Sequence, residues 1–208
     1  MGFYRNRIYP QLVSKLGDPT PIRMLRKKIV PLAHGRVLEI GAGAGANFPH
    51  YDPATVSKLY ALEPNQHMIR LANRQKGETA LNVEFLDLPG ERIPLEDRSI
   101  DTVVSTFTLC TIPGIVQAIQ GIRRVLRQDG QLIFFELSLS PDTDVKRWQK
   151  WWEPIHHRLF EGLYLTRDMA SLIAEGGFEI QQFECGYMTP FPKSWAYCCW
   201  GTAIPKSR

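Results

Sequence analysis

Apolar residues recur along this chain with two periods, and the switch between them sets the expected architecture. Phe3, Tyr4, Ile8, Tyr9, Leu12, Val13 and Leu16 fall at helical spacing. They predict an amphipathic helix, bent near Pro10, that ends at Gly17-Asp18-Pro19. Thr20-Pro21 reads as the N-cap and first position of a second helix ending near Pro31. Short apolar runs then alternate with helical patterns. Strands are predicted at 36–40, 58–62, 82–86, 101–105 and 131–137, and helices at 45–51, 65–75 and 113–127. That alternation predicts an α/β fold, an open parallel sheet with helices on both faces.

Beyond the fifth strand the pattern changes. Residues 142–160 are helical in period and carry Trp148, Trp151, Trp152 and Phe160. Thr166 is predicted to cap a helix over 167–175, stopped by Gly176-Gly177. Phe178–Glu184 and Trp195–Ala203 read as two strands joined by Gly186–Lys193, whose Pro190 and Pro192 suit a turn. With 208 residues and 44% hydrophobic content, one domain with a full core is expected. Its parts are an N-terminal helical lid over 1–34, a ligand-binding core over 35–137, and helices with a terminal hairpin over 138–208.

Composition adds three expectations. No run approaches the ~18 apolar residues of a membrane span, and MGFYRNRIYP lacks the apolar stretch of a signal peptide. Asn6 stands where a myristoylated chain needs Ser or Thr. Cys110, Cys185, Cys198 and Cys199 show no C-x-x-C spacing, so they read as free thiols in a reducing cytoplasm and not as a zinc site. The net charge of +4 is unevenly spread: residues 1–36 hold eight Lys and Arg against Asp18 alone, leaving 17 basic and 20 acidic residues elsewhere. The basic segment has two readings, a solvated helix face or a weak, salt-sensitive contact with an anionic membrane. Nucleic acid is disfavoured, because the rest of the chain is not basic.

The chemistry concentrates in Val37–Phe48, VLEIGAGAGANF, and Leu59–Asn65, LYALEPN. Gly41, Gly43 and Gly45 let the backbone turn sharply and approach a ligand. Glu63, about 20 residues on at the end of the next strand, can accept both hydroxyls of a ribose. A nucleoside-containing cofactor at the carboxyl edge of the sheet follows. Gly41, Gly43 and Ala46 also satisfy a dinucleotide pattern, but Glu39 sets a negative charge beside the loop, Asn47 and Phe48 follow it, and no Tyr-x-x-x-Lys pair occurs. Those features disfavour a pyrophosphate and a hydride-transferring enzyme.

The Glu39-x-Gly41-x-Gly43-x-Gly45 form resembles motif I of class I S-adenosylmethionine (SAM) methyltransferases. Ile100–Ser105, Thr106–Ile112 and Val125–Phe135 are similar, in order, to that family's fourth strand, the loop over the methyl group, and the helix end, turn and fifth strand. The resemblance implies a Rossmann-like, seven-stranded, mostly parallel sheet with an antiparallel C-terminal strand. It also implies SAM as cofactor and S-adenosyl-L-homocysteine as product. Glu63 would hold the ribose; Glu39, Gly41, Gly43, Gly45, Asn47 and Thr106 would border the methionine part; Pro64, Asn65 and Met68 would border the adenine. Pro89 stands where many relatives carry an acid for the adenine amino group, so backbone at Leu88, Pro89 and Gly90, or Glu91, must serve.

In the same architecture the acceptor pocket would draw on Tyr4, Tyr9, Thr108, Cys110, Trp148, Trp152, Phe160 and Tyr164. That aromatic set suits a small apolar molecule. His156 and His157 are the candidate bases, and each reads equally well as a structural histidine. The W-x-x-x-W-x-P spacing up to Pro154, LCTI, and Phe160–Arg167 resemble the alkyl-thiol methyltransferases and their bacterial relatives. Leu163 stands where the mammalian members carry a Cys. A thiol is therefore the first expected acceptor. Methylation of a quinone, phenol or lipid headgroup is the rival, and a SAM-sensing module without turnover is the non-enzyme alternative.

Overall fold

A computed structural model describes residues 18–160 and 162–206. The amphipathic pattern over residues 3–16, with Tyr4 and Tyr9, lies outside the described residues. Helix α1, Thr20–Ile29, opens the described chain and buries Ile22, Leu25 and Ile29, together with Arg26. Its N-cap is Pro19, and the expected cap Thr20 is its first residue.

Seven strands form one sheet: β1 Gly35–Ile40, β2 Val56–Leu62, β3 Val83–Leu86, β4 Ile100–Thr106, β5 Leu126–Leu137, β6 Phe178–Tyr187 and β7 Tyr197–Pro205. Their order is β3-β2-β1-β4-β5-β7-β6. β1 pairs in parallel with β2 and β4, β2 with β3, and β4 with β5. β7 enters antiparallel between β5 and β6. The strand order reverses between β1 and β4, so their carboxyl ends flank the crevice where α/β sheets bind ligands.

Helix α2, Gln66–Lys76, is capped by Asn65, whose Oδ1 accepts from the amides of His67 and Met68. Helix α3, Ile115–Val125, buries Ile115, Ala118, Ile119, Ile122 and Val125, an i, i+3, i+4 stripe laid on the core. Helix α4, Thr143–Leu159, follows β5; α5, Met169–Glu175, precedes β6; and one turn, α6, Lys193–Ala196, precedes β7. The core is continuous from Ile22 to Ala203 and centres on β1, β4 and β5.

Five local expectations are corrected. Residues 45–51 are not a helix but a tight turn and one 3-10 turn, Phe48–His50. Gly45 has φ +84°, outside the right-handed helical region, so no α-helix can begin there. β5 starts at Leu126, directly after α3, with a register shift against β4 between Ile100 and Thr102 where 128–130 were read as a turn. The cap before α5 is Asp168, which accepts from the Ser171 amide; Thr166 instead donates to Glu153. Residues 193–196 are helical, so the last strand begins at Tyr197. Finally, Cys185 and Cys199 face each other in the β6–β7 register and form a disulfide, leaving Cys110 and Cys198 as buried free thiols. Pairing across adjacent antiparallel strands needs no C-x-x-C spacing, so it was hidden from a spacing argument.

Candidate active site

The loop after β1 carries three left-handed residues, with φ of +67° at Gly41, +54° at Gly43 and +84° at Gly45. Gly41 has a second constraint: a Cβ there would lie 2.2–2.8 Å from the Thr108 side chain. At Gly43 an added Cβ would meet nothing nearer than 3.9 Å, so open space lies in front of that residue. Glu63, at the end of β2, closes the other wall. Its carboxylate accepts from the amides of Gly43 at 3.0 Å and Asn65 at 2.9 Å. A carboxylate offers about four acceptor positions, so these two bonds do not preclude ribose hydroxyls. A bare glycine cradle beside a nearly buried carboxylate fits the ribose and methionine part of SAM.

Behind that cradle is a buried polar network. Glu39, at 2% exposure, accepts from Asn47 Nδ2 at 2.8 Å and from the Tyr51 hydroxyl at 3.0 Å. Arg26 reaches in from α1 and donates to Asn47 Oδ1 at 2.6 Å and Thr106 Oγ1 at 2.8 Å. Its Nε lies 3.3 Å from Asp18. Burial pushes the Glu39 carboxyl up to about 7, against the Asn47 and Tyr51 hydrogen bonds and the Arg26 charge. Both Glu39 oxygens and both ends of the Asn47 amide are thus spent holding the loop in shape. Arg26 and Tyr51 belong to this site and were not singled out from the sequence. A basic residue on the buried side of an amphipathic helix was the available signal for Arg26.

Glu136 was also missed. It sits fully buried in β5 and accepts from the Ser105 hydroxyl at 2.7 Å and from the amides of Thr108, Leu109 and Cys110 at 3.0–3.1 Å. One carboxylate therefore fixes the loop after β4. Burial raises its pKa while those four bonds oppose the rise. An acid inside the apolar run LIFFEL was the signal. Cys110 lies fully buried in the same loop, and burial beside Glu136 pushes its thiol well above the usual range. Burial and that shift favour the neutral thiol, which is the unreactive form.

The remaining cofactor-side residues border the crevice differently. Pro64 is exposed, Asn65 half-buried and Met68 buried. Leu88 and Pro89 are half-buried, and Gly90 packs so close to Ile112 and Ile40 that a Cβ would not fit. The Glu91 side chain accepts from the Gly114 amide at 3.2 Å, tying this segment to the start of α3. Gln66 donates to Asp87 across the mouth between α2 and β3.

On the acceptor side, α4 is anchored through its inner face. Gln149 bridges Ser140 N and Ser138 O, and Glu153 accepts from the amides of Leu165 and Thr166 and the Thr166 hydroxyl. Tyr164 donates its amide to Cys110 O and lies under the Arg167 guanidinium, 3.9 Å from the ring centroid. Arg167 in turn donates to Leu109 O at 2.6 Å. These bonds bring Thr108, Cys110 and Tyr164 together beside the glycine loop. The two histidines part company. His156 is 3% exposed, stacks on Phe160 and meets Trp195 edge-on at 4.4 Å. Among the described residues neither of its ring nitrogens has a hydrogen-bond partner, and burial lowers its pKa. His157 is exposed and lies against Tyr164. Trp152 is half-buried against Trp195, while Trp148 points outward at 56% exposure.

Sheet order, the glycine loop and the acid at the end of β2 are those of a class I SAM-dependent methyltransferase, and the chain belongs to that family. The profile described as "Methyltransferase domain" matches residues 38–134. The human thiol S-methyltransferase TMT1B is 34% identical over 169 residues, covering 78% of this chain and 67% of the relative. The ubiquinone/menaquinone biosynthesis C-methyltransferase UbiE of Bartonella tribocorum is 30% identical over 51% of this chain and 43% of its own length. Among solved structures, YcgJ of Bacillus subtilis superposes with a TM-score of 0.70 at 14% identity, over 89% of this chain and 97% of that one. No described helix is long and apolar enough to cross a membrane.

Proposed function

We propose that this enzyme methylates the sulfur of a small apolar thiol. Supporting this reading, the likeness to the human thiol S-methyltransferase covers 78% of the chain, well past the core that the C-methyltransferase shares. The physical observation that carries it is the aromatic acceptor side: Phe160 and Trp195 pack on the buried His156 ring, whose pKa burial lowers, Trp152 packs on Trp195, and Tyr164 lies against His157.

SAM, when bound, supplies an electrophilic methyl group with a neutral sulfide leaving group. The protein's work is then positioning and proton removal. Glu63 and the Gly41–Gly45 backbone hold the cofactor, while Glu136 fixes the loop that faces it. A free thiol near pKa ~8.5 is mostly protonated at neutral pH, and the thiolate is the reactive form. His156, kept neutral by burial, is the proton acceptor in this reading; His157, exposed, is not. Cys110 is too strongly protonated to form a covalent intermediate.

Incubating the enzyme with methyl-labelled SAM and panels of alkyl thiols, phenols, quinones and lipid headgroups tests the acceptor. Label in thioether products supports the reading. Label only in phenol or quinone products overturns the thiol and leaves the methyltransferase standing. His156→Gln should lower turnover at neutral pH at least tenfold, recover toward high pH, and leave SAM affinity unchanged. An unchanged pH profile removes His156 from the mechanism.

A further inference from the structure

Helix α4 is docked through one face and open on the other. Gln149 and His156 are buried beneath it, whereas Trp148, Trp151 and Ile155 stand 56%, 59% and 41% exposed. Their spacing, i, i+3 and i+7, puts the three on one stripe. Large apolar groups rarely gather on a solvated helix face without a use.

The charges beside the stripe narrow that use. Arg147, Lys150 and Arg158 are exposed on the same helix, and Arg147 and Arg158 flank the Trp151 side of the stripe. Of the two acids of α4, Asp144 makes an exposed ion pair with Arg147 at 3.6 Å, and Glu153 is turned inward onto Leu165 and Thr166, which leaves Lys150 and Arg158 without an acid from this helix. The apolar area on offer is roughly 350 Å², taking each Trp at on the order of 250 Å². A stable protein interface needs about 800 Å² per partner. Trp beside Arg and Lys on one helix is instead the composition of a helix lying in a bilayer interface, with rings at headgroup level and cations on anionic lipid. The stripe also leads inward: Trp148 contacts Trp151, Trp151 contacts Trp152, Trp152 contacts Trp195, and Trp195 contacts His156, each edge-on with centroids 4.4–5.8 Å apart.

We propose that the outer face of α4 docks this enzyme on an anionic lipid surface, with Trp148, Trp151 and Ile155 seated among the headgroups and Arg147, Lys150 and Arg158 on their charges. The aromatic row then joins that surface to the acceptor side, so an acceptor dissolved in lipid would reach His156 without crossing water. The docking does not depend on the acceptor being a thiol.

Co-sedimentation of the full chain with vesicles tests it, using phosphatidylcholine alone and phosphatidylcholine mixed with phosphatidylserine. The wild type should pellet with the mixed vesicles and be released by salt. Trp148→Ser with Trp151→Ser should weaken that binding about tenfold or more, as should Arg147→Glu with Arg158→Glu. The thermal midpoint of each should stay within a degree or two of wild type, since the replaced side chains are exposed. A comparison variant, Arg5→Ser with Arg7→Ser and Lys15→Ser, removes basic charge from the N-terminal segment alone. If both α4 variants bind as wild type, or only the N-terminal variant loses binding, the proposal is wrong. It is equally overturned if the wild type ignores both vesicles, or if sedimentation velocity shows a dimer that the Trp variant abolishes.

Discussion

The carboxyl ends of β1, β2 and β4 and the helix α4 lie on the same edge of the sheet, yet they are built on opposite rules. Around the glycine loop every buried polar atom of Glu39, Asn47 and Thr106 has a partner, and backbone conformation does most of the shaping. Around α4 the ring contacts are aromatic, and both His156 nitrogens and the Trp195 indole N–H are buried without hydrogen-bond partners among the described residues. A fully satisfied network specifies one geometry, which a fixed cofactor needs. A buried group without a partner costs free energy, and such groups are tolerated where a ligand or a proton transfer can use them. The first region is a rigid holder; the second keeps unspent hydrogen-bonding capacity.

The strongest way to break this contrast is at Glu136, which ties the two regions together. Glu136→Ala should cost about 3 kcal/mol or more, because three loop amides and the Ser105 hydroxyl lose a buried acceptor and a cavity opens. Denaturant unfolding measures it. A loss below about 1 kcal/mol would mean that the loop holds its shape without the carboxylate.

Next come the glycines, where the rigid holder separates fold from binding. Gly41→Ala combines a left-handed φ with a collision against Thr108, so it should lower stability by about 2–3 kcal/mol. Gly43→Ala adds a methyl to open space, so its cost in stability should be only about 1 kcal/mol. SAM binding, read by calorimetry, should nonetheless fall at least tenfold in the Gly43 variant. Equal stability losses in the two would erase the distinction. Glu63→Ala should weaken SAM binding about tenfold to a hundredfold through lost charge-assisted hydrogen bonds. Wild-type affinity in that variant would place the ribose elsewhere.

The same contrast explains what could be read from the sequence. The positions of the first five strands, the glycine turn and the placing of Glu63 at the end of β2 were legible because they rest on local pattern: apolar runs, residues that permit positive φ, and an acid at a fixed distance. The shape of residues 45–51 was not, because the pattern looked helical while the left-handed Gly45 forbids a helix. Arg26, Tyr51 and Glu136 were illegible as site residues because the loop partners they hold lie 21 or more, 12 and 26 or more positions away. Likewise His156 and His157 are adjacent and chemically identical in the sequence. Only the helical turn that buries one beside Trp195 and exposes the other separates them.

The pH-dependent effect sits in the network behind the cradle, and it has a definite sign. Glu39 titrates near 7 in the folded protein, above its ordinary value of 4.5, because burial penalises its charge. The folded state therefore binds this proton more tightly than the unfolded state between about pH 4.5 and 7. Stability from this group is fully present below pH 4.5 and is lost as pH rises through 7. Glu39→Gln keeps the shape and removes the titration. Its stability should follow the wild type's at low pH and decline less toward pH 8, the difference between the two curves changing by about 3 kcal/mol. The acid also faces Arg26, whose charge favours the carboxylate, so Arg26→Met should push the Glu39 transition to still higher pH. Parallel curves for wild type and Glu39→Gln across that range would show that the carboxyl ionises normally in place. The network would then stabilise its charge as well as its shape.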